Sequence, residues 1–188
     1  MTLKDNKNLL IGLALIALMA ATRFDHFGSA VSLPDASLAV FFLAGFYLAR
    51  WALPLLLLEA VAIDFVAVNA MGVSDWCITP AYSLLAAAYG AMWLAGRWYR
   101  RGHALTWRSL LPLAGAAVTA TLAAFFISNA SFYLLSGYFA DMSAADYAAA
   151  VAQYLPGYLR GALIWLALAG TVHVLLHATK VRPVKANV

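Results

Sequence analysis

One thiol, four imidazoles and a few charges placed among apolar residues carry the chemistry open to this chain. Cys77 is the only cysteine, which excludes an intrachain disulfide. It lies in Ser74-Asp75-Trp76-Cys77-Ile78-Thr79-Pro80. Thr79 as N-cap and Pro80 at the first helical position predict a helix start. A thiol near a helix N-terminus sits in positive potential, which favours thiolate. A thiolate is a nucleophile and a soft metal ligand. The same residue type also serves as a small buried hydrophobe. His26, in Arg23-Phe24-Asp25-His26-Phe27-Gly28, suits a metal ligand, a hydrogen-bond donor or an interface residue. His173 and His177 are one helical turn apart. They can share a metal or a haem, or simply face a helix C-terminal dipole. His103 falls in a basic loop and is expected to be solvated.

Composition says which elements must position these groups. Of 188 residues, 65% are hydrophobic and only 20 are acidic or basic, against roughly half and a quarter in a soluble domain. A soluble core at this size cannot bury so many apolar groups. The mean hydropathy of +0.83 agrees. A soluble enzyme, a disordered tail and a nucleic-acid module are excluded. The solvent is a bilayer, in which a helix needs about 20 apolar residues.

Six apolar stretches read as spans of an all-α integral membrane protein, with residues 1–188 forming one domain. They are 9–22, 33–49, 51–70, 80–96, 109–135 and 154–178. The fifth is long enough to tilt or protrude. The first has a basic start, but Arg23-Phe24-Asp25-His26 stands where a signal peptide would carry small residues. Ten of the 12 Lys and Arg fall on one side if the N-terminus is cytoplasmic. The positive-inside rule then places both termini inside. The basic pI near 9.3 becomes a membrane collar rather than a nucleic-acid surface.

The outer side keeps Arg23, Asp25, His26, Asp75, Cys77 and Arg160, which that rule does not explain. Tyr82, Tyr133, Tyr138, Tyr147, Tyr154, Tyr158 and Trp76 gather on the same half. They suit an interfacial aromatic belt or an outward cavity for a large amphipathic ligand. Asp64 lies about 9 Å below the outer end of the third span, at the depth of a cavity wall. Intramembrane charges cost several kcal/mol unless they face the bundle interior. Glu59, nearer the midplane, suits a helix bridge or a functional group equally. Arg160 follows an expected kink at Pro156 and is expected to pair with Asp64 or reach a ligand. No HExxH and no phosphate-binding glycine loop is present, so the chain does not bind ATP. Ser136-Gly137 lacks the context of an intramembrane serine protease.

The combination of Thr22-Arg23-Phe24-Asp25-His26-Phe27-Gly28 after the first span with the lone Cys77 before Pro80 resembles the BtuM-type cobalamin transporters. These are related to the substrate-binding S-components of energy-coupling factor transporters. The resemblance covers nearly the whole chain. It implies an S-component-like bundle in the bacterial inner membrane, binding cobalamin as substrate from the periplasmic face. It implies Cys77 as the axial cobalt ligand, with His26, Asp64, Tyr82, Arg160, Arg23 and Trp76 around the corrinoid. A thiolate on cobalt would also promote loss of cyanide from cyanocobalamin under reducing conditions. An energising partner module is implied in part: only Ala17-x-x-x-Ala21 offers the small-residue spacing for close helix approach. The chemistry leaves two other readings open. One is a haem- or quinone-binding redox protein using His26, His173 or His177. The other is an S-component for a different vitamin.

Overall fold

The computed structural model describes residues 3–23 and 33–180, and every regular element among them is helical. They run α1 (Leu3–Arg23), α2 (Ser37–Tyr47), α3 (Ala52–Ala70), α4 (Leu85–Gly102), α5 (Leu110–Leu135), α6 (Ala144–Ala152) and α7 (Leu155–Lys180). Short 3-10 turns, Pro80–Leu84 and Trp107–Ser109, lead into α4 and α5. Three helical segments are long and apolar enough to cross a membrane: Ala52–Ala70, Trp107–Leu135 and Leu155–Ala178. They leave Leu58, Phe65, Phe126, Leu134, Leu168 and Leu175 exposed. Large apolar side chains on the outside of long apolar helices suit hydrocarbon rather than water.

The second apolar stretch folds differently from a full span. Only 11 residues become α2, about 16 Å of helix against a hydrocarbon core of about 30 Å. The residues before it, Leu33–Ala36, have no regular structure. Helix α2 is the most enclosed element. Val40, Phe41, Phe42 and Ala44 are fully or almost fully buried, while Phe41 stacks flat on Tyr89 at 4.4 Å. A Cβ added at Gly45 would fall on the Trp93 carbonyl oxygen, and one at Gly96 on the Phe42 carbonyl oxygen. The two backbones of α2 and α4 therefore touch, which only glycine permits.

Two details depart from the sequence expectation. Pro156 sits in the first turn of α7, where its missing N–H costs nothing, so it starts that helix instead of kinking one. Helix α6 was not among the six stretches. Ser143 caps it, its hydroxyl accepting from the Asp146 N–H at 3.2 Å, a standard N-terminal device.

Candidate functional site

The candidate site is built around Arg23, the last residue of α1. Its side chain is 5% exposed and uses four of its N–H directions. Nε and Nη2 grip the two Asp64 carboxylate oxygens at 2.7 and 2.6 Å. Nη1 donates to Ser37 Oγ at 3.0 Å and to the Tyr89 hydroxyl at 2.6 Å. Such a two-pronged fit is specific to guanidinium and carboxylate. Tyr82 adds a third donor to Asp64, at 2.7 Å. Asp64 thus has three hydrogen bonds and a matched charge. This is what allows a carboxylate to stay among apolar helices.

The network also fixes residues 33–36, just ahead of α2. Thr22 Oγ1 accepts from the Ala36 N–H at 3.1 Å. Asp35 Oδ1 accepts from the Ser37 N–H and hydroxyl. From the far end of the sequence, the Trp165 indole donates to the Pro34 carbonyl at 2.7 Å, and Gly161 packs close beneath Asp35.

Beside this network lies a cavity of about 420 Å³ whose walls include Arg23, Asp64, Cys77, Tyr82, Tyr158 and Arg160. Five of the seven expected site residues are therefore brought together. Trp76 is not among them. It is half exposed and stacks on Tyr138 at 3.9 Å, in an aromatic cluster with Phe132 and Phe139. Only Phe132 of that cluster reaches the cavity. His26, with Asp25 and its neighbours, lies outside the described residues. Arg160 does not pair with Asp64, because Arg23 already occupies both carboxylate oxygens. Arg160 is exposed at the rim and makes no ion pair among the described residues.

Cys77 is half-buried in the loop that follows the left-handed Gly72. The expected activation by a helix N-terminus is outweighed. The helical piece after Thr79 begins as a five-residue 3-10 turn and runs without a break into α4, yet the thiol pKa is not lowered. The Thr79 side chain makes no cap, and its hydroxyl is buried without a partner among the described residues. Burial instead pushes the Cys77 thiol up, and the Asp64 charge adds to this. With its pKa raised in this way, the group is a neutral thiol at neutral pH. It would become thiolate when a metal takes the sulfur lone pair and the proton leaves to water.

At the opposite end of α2 and α7, His173 and His177 are adjacent, ring centroids 5.3 Å apart, but His103 is not solvated as expected. His103 is tucked edge-on against Phe46 at 5.1 Å and hydrogen-bonds the Tyr99 hydroxyl through Nδ1 at 3.0 Å. Burial pushes its pKa down, with His177 contributing. His173 stands next to it, ring centroids 5.4 Å apart. Both carboxylate oxygens of Glu59 are buried with no hydrogen-bond partner among the described residues, so it does not bridge helices. No group of three or more His, Cys, Asp or Glu among the described residues is placed to hold a metal.

No protein-family model matches the chain, and no curated protein matches it.

Proposed function

We propose that this chain is an inner-membrane protein that crosses six times, the second crossing made by the short α2 together with the irregular residues 33–36, with both termini inside, that it takes up cobalamin from the outer face, and that Cys77 is the axial cobalt ligand. The observation that carries the reading is the position of the only thiol on the wall of a cavity. That cavity also presents a cation, Arg160, with no ion pair among the described residues, and neutral hydroxyls. Cobalt in a corrinoid is a soft-ligand acceptor at its axial position, and the propionamide and phosphate groups at the corrin edge match guanidinium and phenol donors. A corrinoid is larger than 420 Å³, so the cavity would seat one part of it, with the rest toward the mouth.

Arg23, Asp64 and Tyr82 act in this reading as a frame. Asp64 is saturated by Arg23 and Tyr82, so it shapes the cavity wall and holds Tyr82 in place. Arg160 and Cys77 are the groups left to meet the ligand. On binding, the thiol proton leaves and the sulfur lone pair goes to cobalt. Thiolate on cobalt also favours loss of a cyano ligand when a reductant is supplied. Ala14, Ala17 and Ala21 are exposed along one side of α1, where an energising partner helix would approach closely.

The test is purification with cobalamin present, followed by absorption spectra and mass analysis. Wild type should carry a corrinoid whose spectrum shows thiolate ligation, and Cys77→Ala should lose that signature. A wild type without corrinoid, or a spectrum unchanged by the substitution, refutes the assignment. A different vitamin identified by mass would move the function to another S-component substrate.

A further inference from the structure

We infer that the inner end of the bundle holds a second binding site, for a neutral lipid-soluble molecule with an aromatic hydroxyl, a phenol or quinol. A cavity of about 630 Å³ lies there, separate from the Cys77 cavity and with no charged residue in its lining. Its deep wall is aromatic: Phe42, Phe46 and Tyr99. Its mouth is rimmed by Trp107, Leu110 and Leu175, which are 77%, 63% and 60% exposed. These belong to the segments Trp107–Leu135 and Leu155–Ala178 that can cross a membrane. An apolar mouth between such helices opens to hydrocarbon, so its ligand arrives from the bilayer. The uncharged lining selects against fatty acids and phospholipid headgroups, which would bury an unpaired charge.

Two polar atoms decide what the ligand must carry. The Nε2 atoms of His103 and His173 are buried, and neither has a hydrogen-bond partner among the described residues. Their protonation follows from the atoms on the other side of each ring. The Tyr99 hydroxyl donates to the Ser109 carbonyl at 3.2 Å. It must therefore accept from His103 Nδ1–H, which leaves His103 Nε2 as a bare acceptor. Among the described residues the Tyr47 hydroxyl has only His173 Nδ1, at 2.7 Å, to receive its proton. It therefore donates, which leaves His173 Nε2–H as a donor. Two adjacent rings of the chamber lining thus hold one buried acceptor and one buried donor. One hydroxyl satisfies both, accepting from His173 and donating to His103. A ring bearing that hydroxyl can then lie against the aromatic wall.

The test uses 2-naphthol and its methyl ether, 2-methoxynaphthalene, as probes. Binding to the purified full chain is measured by equilibrium dialysis against protein-free micelles. The ether can accept from His173 but cannot donate to His103, which strands a buried acceptor. It should bind about tenfold more weakly. His173→Phe and His103→Phe should weaken 2-naphthol to a similar degree, and Cys77→Ala should leave it unchanged. The two-probe comparison needs no variant, so misfolding of a substituted chain cannot obscure it. Equal binding of both probes, or no saturable binding above micelle partition, overturns the inference; a water molecule alone would then fill the gap between the rings. A Soret band in the purified protein that His103→Phe or His173→Phe abolishes also overturns it, in favour of haem.

Discussion

Asp64→Asn removes one charge and keeps the shape of the Arg23 site. In the native chain the pair is almost fully enclosed, with side-chain exposures of 5% and 9%. The asparagine amide would point a donor at a guanidinium that needs acceptors, so one of the two short contacts becomes repulsive and Arg23 is left charged and unmatched. Breaking a buried pair in this way costs about 3–5 kcal/mol. For a chain of this length each kcal/mol shifts the melting temperature by about 2–4 °C, so the drop should be roughly 6–20 °C. Thermal unfolding of the detergent-solubilised protein measures it directly. The companion is the double variant Arg23→Leu with Asp64→Leu. It removes both charges together and should be more stable than Asp64→Asn by about 2 kcal/mol, because no lone charge remains. A single variant within 1 kcal/mol of wild type would show that water reaches the pair. A double variant worse than either single would show that Ser37, Tyr82 and Tyr89, not the charges, carry the network. Either result defeats the reasoning.

Further outcomes follow from other parts of the structure. Gly96→Ala drives a methyl into the Phe42 carbonyl and should cost about 1–3 kcal/mol or more by overpacking. Gly90→Ala, with open space around it, should gain roughly 0.5–1 kcal/mol from helix propensity. Paired melting curves read both. Alkylation of Cys77 in the ligand-free protein should be slow at neutral pH and accelerate with a midpoint above that of free cysteine, because burial and Asp64 disfavour the thiolate. The folded state holds that proton more tightly than the unfolded chain, so the associated stability is present at neutral pH and fades as pH climbs through the raised value. A rate profile with a midpoint at or below free cysteine contradicts this. Trp76→Ala should leave corrinoid affinity within about threefold of wild type, since the ring packs on Tyr138 and not on the cavity; titration by absorbance checks it.

The apolar, membrane-length helices and the gathering of Cys77, Asp64, Tyr82 and Arg160 at one cavity were legible in the sequence. Apolar length and the depth of a residue in a span are local properties. What stayed hidden were pairings between spans. Asp64 had two cations within plausible reach, and only the way α1 ends against α3 selects Arg23. The tight α2–α4 contact was equally silent, because Gly45 and Gly96 are unremarkable until two backbones meet. His103 looked solvated from its basic neighbours Arg100 and Arg101, yet Phe46 and Tyr99 cover it. The thiol activation was outweighed by tertiary surroundings: burial and the Asp64 charge from α3 keep the proton on Cys77, and neither is visible in the local sequence.

The residues just before α2 set an order of assembly. Pro34 receives its hydrogen bond from Trp165, 131 positions later, and Gly161 closes beneath Asp35. Until the ribosome has delivered α7, that carbonyl has no partner in the bundle and the cavity has no wall on that side. The early helices can pack around Arg23 and Asp64 as they emerge, but the outer chamber is the last part of the molecule to close. A chain cut short before α7 should therefore insert and yet hold no ligand, which places quality control of the binding site at the final helix.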